Sequence, residues 1–260
     1  MPVYIMMIHG MWTGGWAWNK YLQIFSKVDC TCLTPTLRHH QAAPLQPPAE
    51  LGYVSLGDYV KDLQDEIEKL DHLPILIGHS MGGILVQMLA ARGLAKAMVL
   101  LSPAPPQGIN VISSASLRMF QESFKHWGFW QKPTRPTFRD ATATLLDHLP
   151  KDEQRCTYEQ LVHESGRAAC EIGFWFLDKH HVKYVDTSKI TSPVLLIAGS
   201  EDRIHPPAVM RKVALRYKPY STYHEFHDHG HWLIGEPGWQ MIAEYIIDWL
   251  EEKELISIDF

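Results

Sequence analysis

Short apolar runs stand out along the chain because few polar residues interrupt them. Four of these runs predict buried strands, at residues 3–8, 73–77, 97–101 and 194–198. Two weaker runs predict strands at residues 29–33 and 222–227. Strands buried on both faces of a parallel sheet have this continuous pattern, whereas strands with one face in water alternate apolar with polar residues. The runs therefore favour a mainly parallel sheet.

Helix-like stretches lie between the runs, at residues 16–27, 56–70, 81–92, 207–217 and 239–252. In residues 56–70 the apolar side chains recur at steps of three and four, so that they form one buried stripe. Strands that alternate with helices predict an α/β fold, with a mainly parallel central sheet and helices on both of its faces.

The alternation of strand and helix stops after residue 102. Residues 103–191 contain no convincing strand and are crowded with aromatic side chains, namely Phe120, Phe124, Trp127, Phe129, Trp130, Phe138, Phe174, Trp175 and Phe176. We interpret this segment as a helical insertion, or cap, over one end of the sheet. The core domain then comprises residues 1–102 and 192–260. Two further strand–helix units that the pattern does not reveal are the alternative.

The composition narrows the classes of function. The chain has 260 residues, of which 46% are hydrophobic and 20% charged, and this suits one domain with a large core and an insertion. A net charge of −5 without a basic run argues against nucleic-acid partners and against acidic membrane surfaces. Four cysteines are too few for a disulfide framework, and no apolar run is long enough for a membrane span. The N-terminal run lacks the features of a secretion signal, so we expect a cytoplasmic protein.

One apolar run, LPILIGHSMGGILVQMLA, breaks into GHSMGG at its middle and then resumes. This sequence predicts a strand, a sharp turn at Ser80 and a helix. Such a turn strains the backbone, so glycine is needed at Gly78 and Gly82, where a side chain would clash. The turn is expected to lift the Ser80 hydroxyl above the sheet, where the Met81 amide points at any oxyanion that forms. An ordinary turn between a strand and a helix is the alternative.

A serine nucleophile needs a base to take its proton and an acid to orient that base. In this strand–turn–helix arrangement the acid precedes the histidine along the chain. Asp202 follows a predicted strand in LLIAGSEDRIHPP, and we favour it over Glu201. Among the four histidines of HEFHDHGHW we favour His231, which follows Gly230 in a loop before the last helix; His229 is the alternative.

The loop after the first strand, HGMWTGGW, is expected to supply a second oxyanion donor. The Met11 amide is the favoured donor and the Trp12 amide is the alternative, unless the glycines serve only to turn the chain. The loop has neither a GxGxxG pattern nor a following Lys–Ser/Thr pair, so we expect no nucleotide cofactor. The clustered histidines form no HExxH motif, so we expect no metal site.

The motifs HGMW, GHSMGG, GSEDRIHP and GHW, in this order, resemble those of the α/β-hydrolase superfamily, in its serine esterase and lipase-like branch with a helical cap. The resemblance spans essentially the whole chain. It implies that Ser80 is the nucleophile, Asp202 the acid and His231 the base, with the Met11 and Met81 amides as oxyanion donors. Locally, HGMWTGGWAW is similar to the plant methylesterase and hydroxynitrile-lyase group, and GHWLIGEPGW is closer to bacterial esterases. Haloalkane dehalogenases and epoxide hydrolases differ, because they have aspartate at the nucleophile position.

These observations lead to a functional hypothesis, in which the protein hydrolyses small to medium apolar carboxylic esters through an acyl-enzyme intermediate. The candidate substrate-binding residues are Trp12 near the oxyanion loop and Phe124, Trp127 and Trp130 in the cap. For any one of these rings, packing of the cap onto the sheet is the favoured alternative. The expected partner is a small-molecule ester, and a homodimer is left open. The alternatives are a carbon–carbon bond hydrolase, a hydroxynitrile lyase or a cofactor-free haloperoxidase, and a receptor that binds a small ligand without turnover.

Overall fold

The central sheet has six strands. In the computed structural model, which describes residues 3–257, these residues form eight strands, in chain order β1 (Tyr4–Ile8), β2 (Thr31–Leu33), β3 (Ile75–His79), β4 (Ala97–Leu101), β5 (Pro133–Thr134), β6 (Glu164–Ser165), β7 (Val194–Gly199) and β8 (Ser221–Phe226). The large sheet has the order β2-β1-β3-β4-β7-β8, and every neighbouring pair in it is parallel. β5 and β6 form a separate antiparallel pair. The prediction of a mainly parallel central sheet is confirmed.

Helices cover both faces of the large sheet. The described residues form ten α-helices, α1 (Asn19–Phe25), α2 (Leu56–Ile67), α3 (Met81–Ala90), α4 (Ser114–Met119), α5 (Gln121–Phe124), α6 (Phe138–Thr142), α7 (Lys151–Gln160), α8 (Gly166–Gly173), α9 (Pro207–Leu215) and α10 (Trp239–Glu252). α1 and α10 pack in the apolar core on one face, and α2, α3 and α9 pack in the core on the other. Successive residues of β1 alternate between the cores, with Ile5 and Met7 in the first and Met6 and Ile8 in the second. Two apolar cores explain why the strands show no polar alternation.

The predicted helices and strands are present, but several ends differ. The strand predicted at residues 73–77 is β3, which begins only after Pro74, a residue without a backbone N–H donor, and continues to His79 beside β4. The helix predicted at residues 16–27 is divided into a 3-10 helix at Gly15–Trp18 and α1. His227, predicted to end the last strand, lies just beyond β8.

The segment between β4 and β7 is dominated by helices α4 to α8. The prediction that it has no strand was wrong, because β5 and β6 pair within it. Each of these strands has only two residues, which is too short for a hydrophobic period to show in the sequence. The division into a core domain and a cap domain stays a prediction.

The topology brings the ends of several strands together. β1 lies between β2 and β3, so the chain leaves β1 on one side and returns on its other side. Such a reversal opens a crevice at the carboxyl ends of parallel strands, which is where ligands bind in open α/β sheets. The loops after β1, β3, β7 and β8 all begin at this edge, and they contain the predicted site residues of the core.

Candidate active site

Ser80 lies in the turn between β3 and α3. Its backbone has φ 53° and ψ −117°, a left-handed conformation that is strained for a residue with a side chain. Neighbouring backbone holds this conformation in place. The Ser80 N–H donates to the Leu101 carbonyl over 3.0 Å, and the Ser80 carbonyl accepts from the Ala104 N–H over 2.8 Å. Ser80 itself is half-buried, so its hydroxyl remains accessible.

The glycines that flank this turn are required by close approach of backbone. A Cβ at Gly82 would lie 2.1 Å from the Ile8 carbonyl oxygen, and a Cβ at Gly78 would lie 2.5 Å from the Gly82 carbonyl oxygen. Neither position has room for a side chain unless the start of α3 moves away from the sheet. The predicted sharp turn of the GHSMGG sequence is therefore present.

The structure brings Ser80, His231 and Asp202 together from three separate loops. The Nε2 atom of His231 lies 3.0 Å from the Ser80 hydroxyl oxygen, and its Nδ1 atom lies 2.8 Å from Oδ2 of Asp202. The carboxylate can only accept, so Nδ1 carries the proton and Nε2 is left to accept from the Ser80 hydroxyl. This tautomer is the one that a general base beside a serine needs.

Asp202 follows β7 and is held by backbone as well as by His231. Its Oδ1 atom accepts the N–H groups of Ile204 and His205 over 2.9 and 2.8 Å. Burial on its own would raise the pKa of Asp202, but the charge of His231 and these hydrogen bonds outweigh burial and hold the pKa below its usual value. The alternative acid, Glu201, is directed elsewhere and hydrogen bonds to His148.

The loop that carries His231 is organised by a buried carboxylate that sequence reasoning missed. Glu236 is 1% exposed, and its Oε1 atom lies 2.8 Å from Nδ1 of His229 and accepts the Gly230 N–H over 3.0 Å. His229, the alternative base, is therefore engaged with Glu236 rather than with Ser80. The sequence signal was the acidic residue in GEPGW, which follows the GHW motif after Leu233 and Ile234.

His79, the residue before Ser80, is also in contact with the His231 loop. Its Nε2 atom donates to the His231 carbonyl over 2.8 Å. Burial above all, together with the charge of His231, lowers the pKa of His79 to about 3, so the ring is neutral at physiological pH. This hydrogen bond ties the backbone of His231 to the turn that carries Ser80.

Met11 and Met81, whose backbone amides are the predicted oxyanion donors, line the same cavity as Ser80. Within residues 3–257, neither N–H has a hydrogen-bond acceptor. The Met81 N–H is at the first position of α3, where helix N–H groups are free and attract negative charge. The Met11 loop approaches Ser80 closely, since a Cβ at Gly10 would lie 3.0 Å from the Ser80 Cβ.

The cavity beside Ser80 is lined mainly by apolar side chains. Those from the segment between β4 and β7 include Val111, Ile112, Leu117, Met119, Phe120, Phe124, Phe129, Leu145, Ile172 and Phe174. Among the described residues, no Asp, Glu, Lys or Arg side chain lines this cavity. The wall therefore suits apolar parts of a ligand.

The predicted substrate-binding aromatic residues fall into two groups. Trp12 and Phe124 line the cavity. Trp127 and Trp130 lie outside it, and this part of the prediction needs correction. Trp127 lies beyond α5, directly before Gly128, which has φ 77°. Its side chain is 87% exposed and lies edge-to-face on Trp130, with 5.1 Å between the ring centroids.

Within residues 3–257, no group of three or more His, Cys, Asp or Glu side chains is arranged to hold a metal ion. None of the helices in the described part of the chain is both long and apolar enough to cross a membrane.

The profile of the Alpha/beta hydrolase family matches residues 5–240. A curated relative, the carbendazim hydrolyzing esterase of Nocardioides sp. (strain SG-4G), is 32% identical over 89 residues. This match covers 34% of the present chain and 35% of the relative, so the chain matches only about a third of that protein's length.

Solved structures of similar fold cover nearly the whole chain. An extracellular alpha/beta-hydrolase from a Paenibacillus species has 20% identity and a TM-score of 0.72, with 95% of this chain and 98% of that chain covered. A methylesterase from Arabidopsis has 13% identity and a TM-score of 0.72, with 96% and 99% covered. A monoacylglycerol lipase from Paleococcus ferrophilus has 21% identity and a TM-score of 0.68, with 95% and 93% covered. At these identities the likeness shows the fold.

Proposed function

The chain belongs to the alpha/beta hydrolase family, and from this premise we propose that it is a serine esterase acting on small to medium apolar carboxylic esters. The observation that carries the proposal is the pair of contacts from His231, 3.0 Å to the Ser80 hydroxyl and 2.8 Å to Asp202, beside an apolar cavity. A base between a serine and a buried acid, with free amides close by, is the set of groups that acyl transfer requires.

The first step forms an acyl-enzyme. The Ser80 oxygen attacks the ester carbonyl carbon while Nε2 of His231 takes the hydroxyl proton. The bond between the carbonyl carbon and the alcohol oxygen then breaks, and His231 returns the proton to the leaving alcohol. Asp202 keeps the imidazole in the required tautomer and stabilises its charged form.

The Met11 and Met81 amides are assigned to the oxyanion that forms during this attack. Both N–H groups are without an acceptor among the described residues, so they are available to the developing negative charge. The loss of one such donor costs about 3 kcal/mol of transition-state stabilisation in serine hydrolases. The start of α3 adds the favourable end of the helix dipole at the same place.

The second step releases the acid. A water molecule attacks the acyl carbon while His231 takes a proton from it, and the bond to the Ser80 oxygen breaks. His231 then returns the proton to Ser80. One ester and one water are converted to one carboxylic acid and one alcohol, and the protein regains its starting state.

The preference for apolar esters follows from the cavity wall. No charged Lys or Arg side chain lines it among the described residues, so an anionic substrate would be desolvated without a counter-charge. Apolar esters bury their chains against Phe120, Phe124 and Phe174 instead. The names of the similar proteins, among them an esterase, a methylesterase and a lipase, support ester chemistry.

The test combines active-site labelling with an ester panel. A fluorophosphonate should label the protein on Ser80, as peptide mapping will show, and p-nitrophenyl esters from acetate to decanoate should be hydrolysed faster than esters of dicarboxylic acids. Ser80→Ala should lose both labelling and turnover, whereas Ser26→Ala, which removes an exposed hydroxyl on the surface, should keep both. Hydrolysis by Ser80→Ala, or best turnover on a charged ester, would refute the proposal. Turnover of a β-diketone or a cyanohydrin but of no ester would indicate another reaction on the same groups.

A further inference from the structure

His205 stands beside the base of the proposed reaction, although sequence reasoning gave it no role. Its ring centroid lies 4.9 Å from that of His231, with the two rings edge-to-face. The backbone N–H of His205 donates to Asp202, so the position of the residue is fixed relative to that carboxylate. The side chain lines the cavity and is otherwise enclosed, with 5% of the residue exposed.

The protonation of the His205 ring is determined by its surroundings. Nδ1 lies 2.7 Å from the Ser102 carbonyl oxygen, which can only accept, so Nδ1 carries the proton. Burial first, and the charge of His231 second, lower the pKa of His205 to about 4, so the ring is neutral at physiological pH. Nε2 is then a bare acceptor.

This acceptor has no hydrogen-bond partner in the part of the chain that the structure describes. Among residues 3–257, Nε2 of His205 makes no hydrogen bond, and it is not one of the sealed, unpartnered polar atoms of the interior. Because the rest of the residue is buried, this nitrogen is open to the cavity that His205 lines.

Three other polar side chains of the cavity wall, those of Ser116, Thr134 and Trp12, differ from His205 in this respect. The Ser116 hydroxyl donates to the Ser113 carbonyl over 2.9 Å. The Thr134 hydroxyl and the Trp12 indole nitrogen are fully enclosed behind neighbouring atoms, so a ligand does not reach them without a shift of the wall. In a mainly apolar cavity, His205 therefore presents a hydrogen-bond acceptor, and its ring contacts the ring of His231, the base beside Ser80.

We propose that His205 determines substrate specificity, with its Nε2 atom accepting a hydrogen bond from an O–H or N–H group that the substrate carries next to the scissile ester. This inference rests on the proposed esterase function. An ester without such a donor would cover Nε2 and deprive it of water without replacing the hydrogen bond, whereas a hydroxy ester or an N–H carbamate would satisfy it. Discrimination on this basis is about 10- to 100-fold in kcat/KM.

The experiment compares matched esters. Methyl mandelate carries a free hydroxyl, and methyl 2-methoxy-2-phenylacetate carries the same oxygen without the donor; methyl N-phenylcarbamate and its N-methyl derivative form the corresponding N–H pair. For each pair, kcat/KM of the substrate with the donor is divided by kcat/KM of the blocked substrate. This ratio is then divided by the corresponding ratio of rate constants for hydroxide-catalysed hydrolysis, which corrects for intrinsic reactivity, and the result is the quotient used below. We expect a quotient of about ten or more in the wild type for at least one pair, and the pair that gives it identifies the donor.

Variants assign the effect to His205. His205→Leu removes the acceptor and should bring the quotient close to one, whereas His205→Gln keeps an acceptor oxygen and should restore part of it. Ser116→Ala, which changes another polar residue of the same wall, should leave the quotient unchanged. A wild-type quotient near one for both pairs overturns the inference even where a variant fails to fold, and so does an unchanged quotient in folded His205→Leu. Absence of Ser80 labelling and of all ester turnover would instead refute the proposed function.

Discussion

The Nε2 atom of His148 lies 3.0 Å from Oε2 of Glu201, so a residue between α6 and α7 contacts the residue directly before Asp202. The same imidazole stands against Gly230, directly before His231, where a Cβ would lie 2.5 Å from Nδ1 of His148. His148, in the helical segment between β4 and β7, thus contacts both loops that carry partners of Ser80, the loop with Asp202 and the loop with His231. The packing of that segment and the geometry of the site are therefore coupled.

Replacing His148 by Gln should make the free energy of unfolding less dependent on pH. Burial lowers the pKa of His148, but its hydrogen bonds to Asp147 and Glu201 outweigh burial, so the folded-state pKa is raised above 6.5. These pairs therefore stabilise the folded protein fully below pH 6.5, and this stabilisation is lost as the pH rises through the folded-state pKa. It should stay below about 1 kcal/mol, because the Glu201 side chain is 49% exposed and screened by solvent. Urea unfolding of wild type and His148→Gln at about pH 6 and about pH 9 measures the difference, and parallel pH dependence of the two proteins would argue against this stabilisation.

Asp202→Asn should preserve the fold and lower kcat by about 10⁴-fold. The asparagine oxygen can still accept the N–H groups of Ile204 and His205, but its amide nitrogen donates to Nδ1 of His231. The imidazole proton is then displaced to Nε2, which can no longer accept from Ser80. Ester turnover and the circular dichroism spectrum provide the measurement. Glu201→Gln is the matched control and should keep most of the wild-type kcat; a loss as large as that of Asp202→Asn would mean that the acid has been assigned wrongly.

The sheet and the serine turn were predictable because local sequence encodes them. Each strand of the double-sided sheet needs apolar residues at successive positions, which leaves a continuous run. The turn at Ser80 needs small residues at fixed offsets because Gly82 approaches the Ile8 carbonyl to a distance that excludes a Cβ. The order of the acid and the histidine follows from the same topology.

The missed contacts depend on approaches between distant segments. The His79 ring hydrogen bonds to the carbonyl of His231, and the His205 ring to the carbonyl of Ser102. In neither case does the sequence around the histidine indicate its partner. The prediction that Trp127 and Trp130 bind substrate failed for another reason. An apolar ring favours burial in either core or cavity, but Trp127 is exposed to solvent, beside a left-handed Gly128.

The contrast between Phe124 and Trp127 gives a direct test of which rings contact substrate. Phe124→Ala removes a ring from the cavity wall and should reduce kcat/KM for a medium-chain p-nitrophenyl ester about tenfold, through lost apolar burial. Trp127→Ala changes a ring that lies outside the cavity and should leave kcat/KM near the wild-type value. Chain-length series on both variants supply the readout. Equal losses in the two variants would show that the exposed ring also serves the substrate.

A buried ion pair ties β6 to the core of the protein. Nε2 of His40 lies 3.1 Å from Oε2 of Glu164, and the other carboxylate oxygen accepts the Tyr59 hydroxyl over 2.7 Å and the Ser165 N–H over 2.6 Å. Burial lowers the pKa of His40 most strongly, but the Glu164 charge and hydrogen bonds outweigh it, so the pKa is raised above 6.5. The His40 imidazole thus carries its proton at and below that value, beside the Glu164 carboxylate.

Glu164→Gln should therefore destabilise the protein by about 3 kcal/mol at about pH 6, because the His40 charge is left buried without its partner. The raised folded-state pKa means that the stabilisation by the pair is lost as the pH rises, so the variant should lose less relative to wild type at about pH 9. Tyr59→Phe removes one hydrogen bond to the same carboxylate and should cost about 1.5 kcal/mol at both values, which makes it the matched control. Urea unfolding of the three proteins at the two pH values measures this difference. An equal loss for Glu164→Gln at both values would mean that His40 is neutral in the folded protein and that a neutral hydrogen bond holds β6 in place.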